Sequence, residues 1–176
     1  MLQRTRLLLL PSALRATCVV GGPLGAQDQQ ARATFANADD KPIGTAMLTQ
    51  THSGVLIDVT VNGVPPCARG FHIHETGTVT RPPSPRRATT IAPQGPRTAM
   101  VPAAAPTGDL PNQFVQTDGM LRVHVRNPQV TLGAGKATLF DVDGSALVIH
   151  TQADDSTSQP AGEAGDRLAG AGILPR

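Results

Sequence analysis

The sequence contains no tryptophan and no tyrosine, and phenylalanine occurs only four times in 176 residues. A buried core must therefore be built mainly from valine, leucine, isoleucine and alanine, whose burial contributes about 25 cal/mol per Å² of apolar surface. Glycine and proline, with 18 and 16 residues, are frequent enough to favour turns over long helices. The length suits a single domain.

Long apolar runs and a strong charge excess are also missing. No stretch of about 18 apolar residues is present, so the sequence predicts no membrane span. The formal net charge is only +2. No basic patch is interleaved with aromatic residues, which argues against a nucleic-acid partner.

The N-terminus has the segment order of an export signal. Two arginines precede four leucines at 7–10, and small residues then lead to Ala26. This order predicts a signal peptide over 1–26 and a periplasmic or secreted domain over 27–176. The alternative is an ordinary disordered N-terminus.

Cysteine is scarce, with only Cys18 and Cys67 in the chain. Cys18 would leave with the signal peptide, so the mature domain would keep one thiol and could form no internal disulfide. Cys67 either forms an intermolecular bridge or lies buried as a small side chain, and we expect burial.

Most of the remaining chain consists of short strand-like runs between turn residues. These β-branched, alternating or apolar runs lie at 31–36, 44–49, 54–61, 70–75, 121–125, 137–140 and 146–150. No segment carries a long apolar stripe with helical spacing. The pattern predicts an all-β sandwich or barrel.

Residues 78–106 depart from this pattern. The segment holds seven prolines and four arginines but no acidic residue, histidine or phenylalanine. Its composition is typical of a disordered or divergent loop. A structureless loop of this length is unusual inside a compact domain.

Histidines are the residues best suited to chemistry. His72 and His74 are two positions apart, so on a strand both rings project from one face and can chelate copper or zinc. The alternative is a pair on an exposed surface. His150 ends an apolar run and is uninformative alone, while His52 and His124 are expected to be solvated or satisfied by their neighbours.

Three other candidates carry weak signals when taken singly. Asp109 follows a glycine and Asp154 follows the apolar run that ends at His150, so each suits a turn or a helix cap. Arg167 lies in a glycine-rich tail.

Taken together, five ordered motifs carry a specific resemblance. They are Gly70-Phe-His-Ile-His-Glu75, Gly108-Asp-Leu-Pro-Asn112, Asp143-Gly-Ser-Ala-Leu-Val-Ile-His150, Ala153-Asp-Asp155 and Ser158-Gln-Pro-Ala-Gly-Glu-Ala-Gly-Asp-Arg-Leu-Ala169. In this order they closely resemble the copper/zinc superoxide dismutases in their exported bacterial form. The resemblance covers roughly residues 31–77 and 107–174.

The resemblance implies a Greek-key β-barrel, or flattened sandwich, that dismutes superoxide to oxygen and hydrogen peroxide at copper. The implied roles are copper ligation by His72, His74 and His150, zinc ligation by Asp109, orientation of metal-bound histidines by Asp154, and attraction of the superoxide anion by Arg167. Exported members of this family occur as monomers and as dimers, so a homodimer is possible.

Residues 78–106 lack what the family pattern requires there. A disulfide cysteine, a histidine bridging copper and zinc, and two further zinc histidines are all missing, and Gly170 stands near the position of the second cysteine. Zinc binding is therefore doubtful, and low or absent dismutase activity is expected.

A shifted reading frame is one explanation for this segment. From Thr78 the alternative frame can encode Cys-Asp-Ala-Pro-Pro-Phe-Thr-Ser-Ala-Gly-Asp-His-Tyr, and later His-Gly near Thr98, which resembles the missing loop. The frame would be restored by about Met100. The other explanation is true divergence.

Three functional hypotheses follow for this chain. It is a superoxide dismutase with impaired activity, a domain that holds copper without efficient turnover, or a barrel that binds no metal.

Overall fold

The computed structural model describes residues 29–75, 77, 107–158 and 162–176. The expected signal peptide, 1–26, and the aberrant segment, 78–106, lie outside these residues. The described residues form eight strands. They are β1 (Gln30–Asn37), β2 (Pro42–Thr51), β3 (Gly54–Val61), β4 (Ala68–His74), β5 (Asp109–Phe114), β6 (Leu121–Asn127), β7 (Ala146–His150) and β8 (Arg167–Pro175).

All eight strands belong to one antiparallel sheet with the order β5-β4-β7-β8-β1-β2-β3-β6. The two end strands, β5 and β6, follow one another in the chain and are joined by a short turn, in which the Gln116 N–H donates to the Met120 carbonyl over 2.9 Å. The sheet therefore curls into a nearly closed barrel. The chain crosses the barrel between β3 and β4 and again between β6 and β7, so the predicted all-β Greek-key barrel is confirmed.

Strict alternation of apolar and polar side chains places the core. In β3, Val55, Ile57 and Val59 are buried, whereas Asp58 and Thr60 face outward. Because tryptophan and tyrosine are missing, the largest fully buried side chains are Phe35 and Phe71, which pack among aliphatic residues.

Strands β4 and β7 differ from the rest because both of their faces are covered. All five residues of β7 are buried, as are the last six of β4. Phe71 and Ile73 point into the apolar core, while His72 and His74 project from the opposite face. The two strands pair directly, with His72 opposite Val148. Histidines at the ends of β4 and β7 are thereby brought together.

The sequence-based strand assignment was wrong at 137–140. This run lies in a loop and makes one isolated bridge, between Thr131 and Thr138. Leu139 is fully buried and packs on the core from that loop. Its apolar character therefore serves to cover the barrel and not to form a ladder.

Two strands were missed. Asp109 was interpreted as a turn or cap residue, but it is the first residue of β5, and Arg167 was assigned to a tail, but it begins β8. Glycines masked the strand signal in β8. Gly172 is required by a close approach, since a Cβ there would lie 2.9 Å from the Gly77 carbonyl oxygen.

No helix in the described parts of the chain is long and apolar enough to cross a membrane.

Candidate metal centre

Three buried histidines meet at one end of the paired strands β4 and β7. His72, His74 and His150 are each at most 3% exposed. One ring nitrogen from each lies within 4.8 Å of the chosen nitrogens of the other two. The ring centroids of His72 and His150 are 4.8 Å apart, and those of His74 and His150 are 5.4 Å apart. This geometry matches the requirement for three nitrogen ligands around one transition-metal ion.

The protons of two of these rings are fixed by their partners. Arg167 Nη2 lies 3.3 Å from His74 Nδ1, and an arginine can only donate. His74 Nε2 therefore carries the proton and donates to His150 Nε2 over 3.3 Å. His150 Nδ1 in turn donates to the Gly165 carbonyl over 3.0 Å. His150 Nε2 thus presents its lone pair toward His74.

The third ring is held by a carboxylate. His72 Nε2 donates to Asp154 Oδ2 over 2.8 Å. The proton on Nε2 leaves a lone pair on His72 Nδ1, which is buried and has no hydrogen-bond partner among the described residues. A buried nitrogen without a partner is costly. An ion coordinated there would supply what the protein does not.

Burial keeps two of the rings neutral. Burial, with smaller contributions from the charges of Arg167, His150 and His72, lowers the pKa of His74 to about 3. Burial also lowers the pKa of His150 to about 4, against the opposing effect of its hydrogen bond to Gly165. Neutral imidazole is the form that binds metals, so both side chains keep the charge state that ligation requires well below neutral pH.

Arg167 stands at the edge of the histidine cluster. It begins β8, where it pairs with His150, and it reaches His74 with its guanidinium group. The side chain is partly buried, and this burial lowers its pKa. An arginine remains charged at any physiological pH. A fixed positive charge therefore lies beside the three imidazoles.

Asp109 lies close to this cluster but is not part of the group of three. It sits opposite His72 in the pairing of β4 with β5. Partial burial raises the pKa of its carboxyl; the neighbouring His72 opposes that rise and Asp154 adds to it. Asp109 and Asp154 thus share the electrostatic environment of His72.

Other residues singled out in the sequence lie elsewhere. His124 is exposed on β6, with Nδ1 2.6 Å from Asp58 Oδ1, and His52 is exposed in the turn between β2 and β3. Cys67 is a free, exposed thiol, so the expectation that it is buried was wrong. It stands just after Pro65-Pro66 at the start of β4, where the chain has not yet entered the sheet.

Sequence reasoning missed the residues that hold the cluster through the backbone. They are Asn112, which bonds the main chain of Asp154; Gly162, which packs on the Asp154 carboxylate; and Gly165, whose carbonyl accepts from His150. All three residues fall within the five ordered motifs but carry no chemical signal of their own. Their roles depend on contacts between segments distant in the chain.

Comparison with known proteins shows which family this chain resembles. A family model described as copper/zinc superoxide dismutase (SODC) matches residues 42–173. The Cu-Zn superoxide dismutase 2 of Aquifex aeolicus is 42% identical over 146 residues, which cover 81% of this chain and 85% of that protein. The Cu-Zn superoxide dismutase of Caulobacter vibrioides is 33% identical over 148 residues, covering 79% and 82%.

A solved structure also resembles this chain. The crystal structure of a SOD-like protein from Bacillus subtilis superposes with a TM-score of 0.73 at 31% identity. The match covers 81% of this chain and 97% of the other.

Proposed function

This chain belongs to the copper/zinc superoxide dismutase family, and we propose that its three-histidine cluster binds copper and converts superoxide to oxygen and hydrogen peroxide. The observation that carries the proposal is the convergence of His72, His74 and His150, each with a buried ring, on one point. The relatives named above bear the name of this activity.

The donor set suits copper. His72 offers Nδ1, because its Nε2 is occupied by Asp154, and His150 offers Nε2, because its Nδ1 is occupied by Gly165. His74 would offer Nε2 once its proton moves to Nδ1, a change of tautomer that requires the Arg167 guanidinium to leave that atom. Imidazole nitrogen suits copper and zinc, but only copper changes oxidation state under these conditions.

Copper held by His72, His74 and His150 would supply the one-electron redox chemistry by which two superoxide ions and two protons become oxygen and hydrogen peroxide. The protein would position the metal and attract the superoxide anion. Arg167 places a permanent positive charge next to His74, where an anion approaching the cluster would meet it. Such a charge increases the encounter rate of a small anionic substrate.

Zinc is a weaker expectation. Asp109, which the resemblance matches to a zinc ligand, lies opposite His72 in the pairing of β4 with β5, and its carboxylate would supply one oxygen ligand. A structural zinc site takes four ligands, and one carboxylate does not hold the ion specifically. We propose a copper site without a specific zinc site. Since bound zinc and a disulfide each stabilise a fold, their loss lowers stability, by about 2–5 kcal/mol for a disulfide alone.

Low catalytic turnover is part of the same proposal. Three imidazoles hold copper less tightly than four ligands would, and the residues that resemble the family pattern include no fourth copper ligand. A domain that binds copper without efficient turnover is therefore the second candidate. A barrel that binds no metal is the third.

Copper titration combined with a superoxide-consumption assay separates these candidates. The purified metal-free protein is titrated with Cu²⁺, its metal content is measured by mass spectrometry, and superoxide loss is followed before and after loading. We expect one copper per chain, no stoichiometric zinc, and activity below that of a relative such as the Aquifex aeolicus enzyme. Normal activity together with one tightly held zinc would refute the impaired site. Failure to bind copper would refute the function itself.

Location and assembly are proposed from the sequence. The order of basic, apolar and small residues over 1–26 supports export of the domain to the periplasm or beyond the cell. Exposed Cys67 is accessible to a second copy of the chain, which supports a disulfide-linked homodimer under oxidising conditions. N-terminal sequencing of the mature protein tests the first proposal, and non-reducing electrophoresis tests the second.

For residues 78–106 we propose a shifted reading frame. The alternative frame restores a cysteine and two histidines of the family pattern, in order, with only the first base of each codon largely free. Resequencing the gene tests this. A confirmed, uninterrupted frame, with no nearby insertion or deletion in related genes, would establish true divergence instead.

A further inference from the structure

The side-chain amide of Asn112 makes two hydrogen bonds to the main chain of Asp154. Asn112 Nδ2 donates to the Asp154 carbonyl over 2.8 Å, and Asn112 Oδ1 accepts from the Asp154 N–H, also over 2.8 Å. The two residues are 42 positions apart. Because one planar side chain satisfies both polar groups of one residue, the peptide units on either side of Asp154 cannot rotate without breaking a bond.

Asp154 depends on this contact because no strand holds it. It lies in the irregular segment that follows β7, between His150 and the strand β8. Its own carboxylate is used elsewhere: Oδ1 accepts from the Ser156 N–H over 2.6 Å, and Oδ2 accepts from His72. Movement of the Asp154 main chain would therefore disturb both contacts of its carboxylate.

The position of Asn112 follows from an irregularity in β5. The register between β4 and β5 shifts between Arg69 and Phe71, so Pro111 and Asn112 together stand opposite the single residue Gly70. A bulge of this kind redirects a side chain, and it tolerates proline, which cannot donate to the ladder. The Gly70 N–H is released from the ladder and donates to the Gln152 carbonyl over 2.7 Å.

The segment carrying Asp154 thus docks on the bulge at two points. Gln152 is bound by Gly70, and Asp154 is bound by Asn112. Gly70 has no room for a side chain at this contact, since a Cβ would lie 2.8 Å from the Ala164 Cβ. The bulge therefore binds the segment from which Asp154 contacts His72.

We infer that Asn112 is a positioning residue of the metal centre, which acts through Asp154 on His72. The inference rests on the proposed function, in which His72 Nδ1 is a copper ligand. Asn112 fixes the Asp154 main chain, the Asp154 carboxylate fixes the His72 proton on Nε2, and the buried Nδ1 is thereby held free and oriented. Hydrogen-bond partners of ligands change metal affinity by about 10–100-fold.

The test compares Asn112→Ala with Gln50→Ala. Gln50 is the matched control, because its amide also joins distant segments: Oε1 accepts from the Leu132 N–H over 2.8 Å, and Nε2 donates to the Thr51 carbonyl, also over 2.8 Å. Both variants lose amide bonds to the main chain, so both should unfold at a lower temperature. Only Asn112→Ala should disturb His72.

The first measurement is made on metal-free protein by nuclear magnetic resonance of the histidine ring N–H groups. We expect the His72 Nε2 proton to exchange with solvent at least about 10-fold faster in Asn112→Ala, and at an unchanged rate in Gln50→Ala. The second measurement is Cu²⁺ titration, in which Asn112→Ala should bind about 10-fold more weakly than the Gln50 variant.

Asn112→Asp keeps the acceptor for the Asp154 N–H and loses the donor. It should give an intermediate exchange rate, and it serves if the alanine variant does not fold. Unchanged exchange of the His72 proton in a folded Asn112 variant would overturn the inference. Because this readout needs no metal, a chain that binds no copper refutes the proposed function and leaves the role of Asn112 decided separately.

Discussion

Gly162 leaves no room for a side chain beside Asp154: a Cβ on Gly162 would lie 2.0 Å from the Asp154 Oδ1. Its φ of +57° is also in the left-handed region that favours glycine. Two demands, one on the backbone and one on space, therefore meet at a single residue. The Asp154 carboxylate can bind His72 in this position partly because residue 162 has no Cβ.

Replacing Gly162 with alanine should weaken the metal centre more than the fold. The added methyl group must push the carboxylate away from His72, so we expect Cu²⁺ affinity to fall by about 10–100-fold. Left-handed strain should also lower the free energy of unfolding by about 1–2 kcal/mol. Copper titration and denaturant unfolding measure the two effects.

Gly63→Ala is the control for that variant. Gly63 has a φ of +74°, but nothing lies within 4 Å of a Cβ added there. It should therefore show the backbone strain without any change in copper affinity. Equal losses of affinity in both variants would mean that the Gly162 contact has no role in metal binding.

His150→Ala removes one of the three proposed ligands and should lower Cu²⁺ affinity by more than about 100-fold, beyond the effect of changing a ligand's hydrogen-bond partner. His124→Ala is the matched variant, since His124 is an exposed histidine bonded to Asp58. It should bind copper as the unaltered chain does. Isothermal titration at a fixed pH compares them, and similar affinities for both variants would contradict copper binding at the cluster.

As the pH falls, the metal-free protein should begin to lose stability at a higher pH than the titration of ordinary carboxylates would cause. Burial lowers the pKa of His74 to about 3 and of His150 to about 4 in the folded state, against the ordinary histidine value of 6.5. The unfolded chain therefore binds more protons than the folded chain below pH 6.5, and stability is lost as the pH falls from there toward 4. Each histidine contributes up to about 1.4 kcal/mol per pH unit within this window.

Denaturant unfolding of the metal-free protein between pH 7 and 5 measures this slope. The interval lies above the range in which ordinary aspartate and glutamate titrate. His150→Gln removes one of the two buried imidazoles and should make the slope shallower. A slope that is the same in this variant would show that His150 does not contribute.

Much of the fold was accessible from sequence because its signals are local. The alternation in Gly54–Val61 and the apolar run Ala146–His150 predicted two strands whose bounds the structure reproduces. Strand β8 was missed because glycines interrupt its apolar pattern, and one of them, Gly172, serves a close contact with Gly77 that leaves no local signal in the sequence. The run 137–140 was misassigned for the converse reason, since Leu139 is apolar in order to cover the core and not to pair.

The candidate site divides in the same way. The two-residue spacing of His72 and His74 predicted that both rings share a face, and their ring centroids lie 6.3 Å apart. Their meeting with His150 depends on the pairing of β4 with β7, which only the family resemblance could supply. Asn112 acts through a bulge and a loop, and neither feature has a sequence signature as specific as a ligand spacing.

Arg167 should control the encounter of the copper-loaded site with superoxide. Its guanidinium group is 3.3 Å from His74 and carries the fixed positive charge described above. Arg167→Met keeps much of the side-chain length and removes the charge, so the second-order rate constant should fall by about 10-fold or more. The salt dependence of the rate should flatten at the same time, because long-range attraction between charges is screened by salt.

Arg167→Lys keeps the charge and should retain most of that dependence. Rates of the copper-loaded variants, measured from low to high ionic strength, compare the two. A charge-neutral variant that keeps both its rate and its response to salt would show that superoxide is drawn to the copper by other groups.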